Sequence, residues 1–309
     1  MEIFLQQIVN GLVLGSMYAL IALGYTMVYG VLNLINFAHG EVLMIGAMSG
    51  LTILKLVHNA APDLPGIVKL IIAILGAIPV CVIVNILIER IAYRRLRNAP
   101  RLAPLITAIG VSILLQTIAM MVWGRNPLPF PQVMPSESLN LMGALITPTQ
   151  VMLLVLAALS MLLLVLLVEK TKMGRAMRAT AENPRIAGLM GVDADRVIVV
   201  TFAVGAALAA VAGVMWGANY SSAQFAMGFV PGLKAFSAAV LGGIGNIYGA
   251  MLGGILLGLI ESLGAGYIGE LTGGLLGSNY QDIFAFIVLI IVLTLRPSGL
   301  MGERVADRA

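Results

Sequence analysis

Residues 150–170 read QVMLLVLAALSMLLLVLLVEK, and this stretch decides the fold class. The 18 residues from 151 to 168 contain no charged side chain and no proline. A helix rises about 1.5 Å per residue, so about 20 apolar residues cross the hydrocarbon core of a bilayer. We therefore predict a transmembrane helix that ends where charge returns, at Glu169 and Lys170.

Similar apolar runs recur along the chain, at about 8–30, 41–57, 66–88, 103–123, 198–217 and 281–295. The sequence is 60% hydrophobic and only 10% charged, with a mean hydropathy of +1.01, whereas a soluble domain carries about 25% charged residues. Lipid must therefore be the solvent for much of the surface. We predict an all-α polytopic membrane protein of about eight to nine transmembrane helices, with residues 1–309 forming a single transmembrane domain.

A glycine-rich zone at 233–267 is too long for one ordinary span. It is interrupted at its centre by Gly242-Gly243-Ile244-Gly245-Asn246. We predict a short helix, a turn and a full helix. Irregular backbone at membrane depth is tolerated only where protein or a water-filled cavity covers it.

Small residues recur at four-residue spacing in several of these runs and predict close helix–helix contacts. The clearest stripes are Gly205, Ala209, Gly213 and Gly217; Gly11, Gly15 and Ala19; and the pairs Gly249/Gly253 and Gly254/Gly258.

Fourteen of the 18 basic residues fall in three clusters. These are Arg90, Arg94, Arg95, Arg97 and Arg101; Lys170, Lys172, Arg175, Arg178, Arg185 and Arg196; and Arg296, Arg304 and Arg308. The positive-inside rule predicts that all three are cytoplasmic. The N-terminus is then outside and the C-terminus inside, which requires the short glycine-zone helix to cross as well.

The cytoplasmic loop at about 169–197 contains a predicted helix of about two turns. Asn183 suits the N-cap and Pro184 the first helical position, while Gly191 favours a stop. Ile186, Leu189 and Met190 form an apolar side that needs a partner, because so short a helix is marginal in water. That partner is either the protein's own bundle or a separate cytoplasmic protein.

Six ordered motifs carry a resemblance to a known family. They are GYTMVYG (24–30), NLINFAHGE (33–41), MGRAMRA (173–179), AENPRIAGLMG (181–191), AAVLGGIG (238–245) and RPSGLMG (296–302). Over essentially its full length the chain resembles the LivH-type permease subunits of branched-chain amino acid ABC transporters. The resemblance implies an ABC importer permease fold in a bacterial cytoplasmic membrane and a role in moving leucine, isoleucine and valine.

The resemblance also implies partners. These are two cytoplasmic ATP-binding subunits, a second permease subunit that is a paralogue, and an extracytoplasmic amino-acid-binding protein, for which the outer loop 124–149 is part of the docking surface. It assigns ATPase coupling to Glu182, Asn183, Pro184, Arg185, Ile186, Gly188, Leu189, Met190 and Gly191.

A zwitterionic amino acid with an aliphatic side chain needs an apolar path with a few hydrogen-bonding groups, and helix breaks expose such groups. The candidate pathway residues are Asn33, Asn36, His39, Gly40, Glu41, Gly242, Gly243, Gly245 and Asn246. For Glu41, a local role at the positive end of the next helix competes with a role in substrate passage.

Two other charged residues are expected at the membrane surface. Glu261 is predicted to be interfacial, and Lys234 to extend its ammonium group outward. No acidic residue then stands clearly at a span centre, which disfavours an ion-coupled secondary carrier, since such carriers usually bury acidic residues to bind the ion.

No Walker-type G-x-x-x-x-G-K-[ST] stretch occurs, so we expect no ATP site on this chain; ATP and Mg²⁺ would bind the partner subunits. With two histidines and one cysteine, no metal site, cofactor or catalytic residue is predicted, and we expect a transport protein that is not an enzyme. The alternatives are a permease for urea, short amides or other amino acids, and the ion-coupled carrier. An intramembrane hydrolase lacks a marked constellation.

Overall fold

The computed structural model describes residues 2–97, 99–100, 102–135, 137–141, 143–273, 281–296 and 298–302. The described chain is mostly helical. The helices are α1 (Glu2–Leu32), α2 (His39–Ala60), α3 (Gly66–Ile88), α4 (Leu102–Trp123), α5 (Pro148–Lys170), α6 (Lys172–Glu182), α7 (Pro184–Leu189), α8 (Ala194–Tyr220), α9 (Phe229–Gly242), α10 (Ile247–Leu271) and α11 (Gln281–Leu295). A π-helical turn (Glu89–Tyr93) and a 3₁₀ turn (Arg94–Leu96) extend α3.

Seven helices of the described chain are long and apolar enough to cross a membrane, namely α1, α2, α3 with its extension, α4, α5, α8 and α10. Two shorter apolar helices occur at Phe229–Gly242 and Phe286–Leu295. The prediction of an all-α polytopic membrane protein is confirmed.

The glycine-rich zone divides as predicted, although its short helix begins at Phe229 and not near 233. Gly243 and Gly245 adopt φ values of +105° and +98°, a backbone region that side-chain-bearing residues rarely occupy. These two glycines end α9 and allow the chain to turn into α10.

The centre of the bundle is α1, α2 and α8, whose middle turns are buried, while α4 and α5 expose one long apolar side each. The predicted small-residue contacts are confirmed between α1 and α10. A Cβ added at Gly15 would lie 2.8 Å from the Ile255 Cα, and one at Gly258 would overlap the backbone of Gly15. Since lipid tails give helices no hydrophobic drive to associate, this backbone approach supplies the packing energy.

The two ends of the bundle differ. At the hairpin end, Leu128–Pro129 (β1) pairs with Ser222–Ala223 (β4), and Leu139–Leu141 (β2) pairs with Ala144–Ile146 (β3), both antiparallel. Gln6 fastens the second pair to α1 by donating to the Leu145 carbonyl (3.0 Å) and accepting from its N–H (2.8 Å).

The opposite, α7 end carries α6, α7 and the turn between α9 and α10. There the Tyr248 hydroxyl donates to the Glu169 carboxylate at the end of α5. Among the basic residues and motifs singled out above, Arg101, Pro297, Arg304 and Arg308 lie outside the described residues.

Candidate functional site

The helix α7 forms for reasons that are local. The Asn183 Oδ1 accepts hydrogen bonds from the backbone N–H groups of Arg185 and Ile186, both at 3.1 Å. Pro184 occupies the first helical position, where no N–H is needed. Gly191 has φ +85°, which ends the helix without backbone strain. The predicted cap, start and stop are all present.

Every residue predicted to couple to an ATPase is exposed: Glu182, Asn183, Pro184, Arg185, Ile186, Gly188, Leu189, Met190 and Gly191. Ile186 is 58%, Leu189 83% and Met190 81% exposed, and we call these three side chains the α7 surface. Only Ala187 turns inward, with 4% of its surface exposed. The alternative in which α7 packs its apolar side under its own bundle is therefore wrong.

α6, which precedes α7, packs closely against the end of α5. α6 is capped by the Thr171 hydroxyl, which accepts from the Gly174 N–H at 3.0 Å. A Cβ at Gly174 would overlap the carbonyl of Val168, so α6 folds tightly against the end of α5. The Arg178 guanidinium donates to that same carbonyl. Because α7 directly follows α6, this packing also places α7 at the end of the bundle where α5 finishes.

An ionic cluster joins the first turn of α8 to the segment that follows α3. The Arg97 guanidinium contacts Glu89, which has no exposed surface, and lies 2.5 Å from the Asp195 carboxylate. Arg94 also pairs with Asp195. Sequence analysis read these arginines only as topology signals and did not identify their partners, although an isolated glutamate preceding an arginine-rich loop was a usable signal.

The first break in the chain lies between α1 and α2, where Asn33 adopts φ +53° and is exposed. Asn36 is buried, and its Oδ1 accepts from the Tyr93 hydroxyl at 3.0 Å and from the Ala38 N–H at 3.1 Å. His39 is buried completely, with its ring 5.0 Å from that of Tyr25 in an edge-to-face arrangement.

Glu41 lies in the first turn of α2, as its local interpretation predicts, and also has partners in a distant helix. Its Oε1 accepts from the Ser112 hydroxyl at 3.1 Å and from the Gln116 amide at 2.7 Å. Gly40 beside it packs directly on Gly228, at the start of α9. Ser112 and Gln116 were missed as partners because nothing in a sequence pairs residues more than 70 positions apart.

The second break, between α9 and α10, lies at the α7 end. The Gly242 carbonyl accepts from the Met301 N–H at 2.9 Å and the Gly243 carbonyl from the Asn246 N–H at 3.1 Å. The Asn246 amide donates to the Met301 carbonyl at 3.0 Å, and Gly245 lies beside Tyr29.

The candidate pathway residues therefore form two groups. Asn33 to Glu41 form the first break and the first turn of α2, where Gly40 packs on Gly228 at the beginning of α9. Gly242 to Asn246 lie at the end of α9. The 14 residues of α9 separate the two groups by roughly 20 Å.

The predictions for Lys234 and Glu261 are wrong. Lys234 is 6% exposed and Glu261 2% exposed, and the Lys234 Nζ lies 2.6 Å from the Glu261 Oε1. The Tyr18 hydroxyl donates to the other carboxylate oxygen at 3.0 Å. Each residue finds an opposite charge inside the bundle, so neither needs the membrane surface. Glu261 is buried well inside α10, so the expectation that no acidic residue stands clearly at a span centre is also wrong.

Within the described ranges, no group of three or more His, Cys, Asp or Glu side chains could hold a metal ion. The candidate site consists of the exposed apolar helix α7, supported by α6 at one end of the bundle, and of buried polar groups around α9 and α10.

A family model described as the permease component of branched-chain amino acid transport systems matches residues 7–293. The chain is 43% identical over 304 residues to the high-affinity branched-chain amino acid transport system permease protein BraD of Pseudomonas aeruginosa, covering 97% of this chain and 96% of that protein. It is 44% identical over 305 residues to the corresponding protein LivH of Escherichia coli strain K12, with the same coverage.

A more distant relative is the xylose/arabinose import permease protein XylH of Sulfolobus acidocaldarius, 29% identical over 262 residues, with 79% of this chain and 65% of that protein covered. No solved structure matches the chain.

Proposed function

The chain belongs to the family of branched-chain amino acid transport permease components, and from that membership we propose that it is the transmembrane permease subunit of an ATP-driven importer for leucine, isoleucine and valine. It provides part of the path by which the amino acid crosses the membrane. It catalyses no reaction itself.

The observation that carries the proposal is the α7 surface. Ile186, Leu189 and Met190 project from a helix that is fixed by α6 and α8 and covered by no other described part of the chain. Burying such side chains releases roughly 1.5–3 kcal/mol each, so a complementary groove on another protein would bind them readily. We propose that this groove belongs to an ATP-binding subunit.

The orientation follows from the same assignment. The α7 end carries the basic residues at 169–196 and would be cytoplasmic by the positive-inside rule. The hairpin end, with the loop at 124–149, would then face outward and meet a substrate-binding protein. In this arrangement the N-terminus is external and the C-terminus cytoplasmic.

ATP binding is assigned to other polypeptides because this sequence has no Walker-type phosphate loop. Two ATP-binding subunits would act on one pair of permeases, this chain and a paralogue. The chain would act as a single transmembrane domain whose loop at about 169–197 receives the motion and whose breaks at 33–41 and 242–246 open the path.

Gly188 offers a direct test, because a side chain added there meets nothing of this chain within 4 Å. We expect Gly188→Trp, alone or with Arg185→Glu, to insert and fold normally but to lose amino-acid-stimulated ATP hydrolysis and leucine uptake in reconstituted vesicles. Gly110→Trp is the matched control, since Gly110 is also an exposed helical glycine with open space around it. It should transport normally.

Normal uptake by the Gly188→Trp/Arg185→Glu variant would overturn the assignment of α7 to ATPase docking.

Substrate choice is tested separately by competition. Unlabelled isoleucine and valine should suppress the uptake of labelled leucine, whereas urea and acetamide at the same concentration should leave it unchanged.

A further inference from the structure

A polar cavity of about 330 Å³ opens at the hairpin end between α1, α5, α8 and α10. Its lining residues are Gln7, Asn10, Val13, Leu14, Gln150, Asn219, Tyr220, Glu261, Ser262 and Ala265. The volume falls within the range of small-molecule sites, about 300–1,000 Å³. None of these residues belongs to the breaks or to the α7 surface.

The cavity has a negatively charged acceptor in its wall. Glu261 lines it while remaining 2% exposed, and its carboxylate is held by the Lys234 ammonium at 2.6 Å and the Tyr18 hydroxyl at 3.0 Å. A carboxylate at this depth is costly to keep charged without a cation. The Lys234 ammonium therefore supplies an opposite charge for Glu261 beside a space that a ligand could fill.

Hydrogen-bond donors lie on the other walls. The oxygens of three side-chain amides are already engaged: Gln7 Oε1 accepts from the Ser262 hydroxyl at 2.8 Å, Asn10 Oδ1 from Gln6 at 3.2 Å, and Gln150 Oε1 from the Thr147 N–H at 3.0 Å. Among the described residues, none accepts a hydrogen bond from the NH₂ groups of these three amides. The amides thus offer donors, which suit an anionic group.

Part of the remaining wall is apolar, formed by Val13, Leu14 and Ala265, and Asn219, Tyr220 and Ser262 complete the lining. The cavity therefore combines an anionic acceptor, neutral donors and a hydrocarbon patch. A zwitterionic amino acid with an aliphatic side chain has the complementary set: an ammonium group, a carboxylate and a hydrocarbon chain.

We propose that this cavity is a binding site for the amino acid within the permease, reached after release on the outer side and before the substrate passes the break at Gly40. The substrate ammonium group binds the Glu261 carboxylate, and the substrate carboxylate accepts from the amides of Gln7, Asn10 and Gln150. Lys234 acts as a positioning residue that holds the Glu261 carboxylate in place. This inference rests on the proposed function and adds to it the residues that contact the head group.

Charge variants separate a binding role from a structural one. Glu261→Gln removes the charge that binds the ammonium group and also removes the opposite charge beside Lys234. The double variant Lys234→Met/Glu261→Gln removes both charges, and such neutral replacement of a buried pair is often tolerated. If the pair only stabilises the fold, the double variant should recover both thermal stability and uptake.

If Glu261 binds substrate, the double variant should recover stability but transport leucine at least about tenfold more slowly than wild type, the loss expected for one hydrogen bond to a charged group. The measurement is the maximal uptake rate in vesicles holding the complete complex, with saturating binding protein. Recovery of wild-type uptake by the stable double variant would overturn the proposal.

A second measurement reads occupancy without transport. The one cysteine of the chain, Cys81, is buried, so an introduced thiol should be the main site of modification. Ala265→Cys should react with a small methanethiosulfonate reagent in the assembled transporter, and excess leucine should slow the reaction several-fold. Asn140→Cys is the control, since Asn140 is exposed in the hairpin at the same end of the bundle and does not line the cavity. Its reaction should be unaffected by leucine.

Equal labelling of Ala265→Cys with and without leucine would contradict the site. The wild-type complex is measured in parallel, so the two proposals fail differently. A wild type that does not transport branched-chain amino acids rejects the proposed function. Normal wild-type transport, with no effect of leucine on labelling and full uptake by the double variant, rejects only the cavity assignment.

Discussion

At the scale of single residues, the central contacts depend on glycines that leave room for a polar ring. His39 is enclosed completely, and both Gly24 and Gly205 lie against its imidazole. A Cβ added at Gly24 would overlap the imidazole ring. The contact with His39, in the motif NLINFAHGE, thereby explains Gly24, the first residue of the motif GYTMVYG.

Gly24→Ala should destabilise the bundle by about 1–3 kcal/mol, the usual cost of overpacking a tight core. The measurement is the thermal unfolding midpoint of the purified protein in detergent. Gly30→Ala on the same helix is the control, because its added Cβ would meet its nearest neighbour only at 3.8 Å. Equal midpoints for the two variants would contradict the contact.

The Glu41 carboxylate gives a second prediction at this scale. Gln116→Leu removes the 2.7 Å hydrogen bond to Glu41 Oε1 and should cost about 1–3 kcal/mol, because a buried charged group loses a donor. Thr117→Val is the matched change on the same helix, since the Thr117 hydroxyl donates to the carbonyl of Ile113 one turn away. Urea- or heat-induced unfolding should separate the two variants, and no difference between them would show that Glu41 does not need Gln116.

At the scale of elements, α6 and the first turn of α8 support α7, and charge as well as packing joins this support to the rest of the bundle. Arg97 bridges Glu89 at the end of α3 and Asp195 in the first turn of α8. The π-helical turn that begins at Glu89 also carries Tyr93, whose hydroxyl reaches Asn36 at the first break. One short segment thus touches both the support of α7 and the beginning of the candidate pathway.

Removal of Arg97 should lower the stability of the protein, because Arg97 joins the segment after α3 to the first turn of α8. Arg97→Met leaves Glu89 buried without its cation, a change that costs roughly 3–5 kcal/mol at full burial and less here because Arg97 is 19% exposed. Arg95→Met, at an exposed neighbouring arginine, should be close to neutral. The double variant Glu89→Gln/Arg97→Met should recover much of the lost stability. Thermal unfolding with no recovery in the double variant would contradict the pairing.

At the scale of the whole molecule, α9 determines how the two ends of the bundle are connected. α8 finishes at the hairpin end, where Ser222 and Ala223 pair with Leu128 and Pro129. The chain then runs to Gly228 beside Gly40, and α9 ends where Gly242 meets Gly249. Residues 221–242 therefore lead from one end to the other, with only 14 of them in α9. This is the path that the predicted crossing by the short glycine-zone helix requires.

Orientation in the membrane is testable with introduced thiols, because Cys81 is buried. Lys172→Cys, at the α7 end but outside the α7 surface, should react with a membrane-impermeant maleimide only in inverted vesicles. Asn140→Cys in the hairpin should react only in intact cells or right-side-out vesicles. Both positions are exposed. Labelling of both from the same side would contradict the proposed topology.

Much of this architecture was determined by the sequence itself. Apolar runs of membrane length, a glycine break near 243–245 and the Asn183-Pro184 start of α7 are local features, and lipid leaves few structures other than helices for such runs. The bounds of the spans and of α7 could therefore be predicted to within a few residues. The family resemblance rests on the same local motifs.

Only the tertiary structure decided where buried charges lie. Sequence analysis set Lys234 and Glu261 at the membrane surface because each, taken alone, costs free energy inside the bilayer. The fold brings them within 2.6 Å of each other and places Glu261 on a cavity, and it joins Glu41 to Gln116 from another helix. Helix formation depends on neighbours along the chain, whereas the energy of a buried charge depends on partners that only packing brings near.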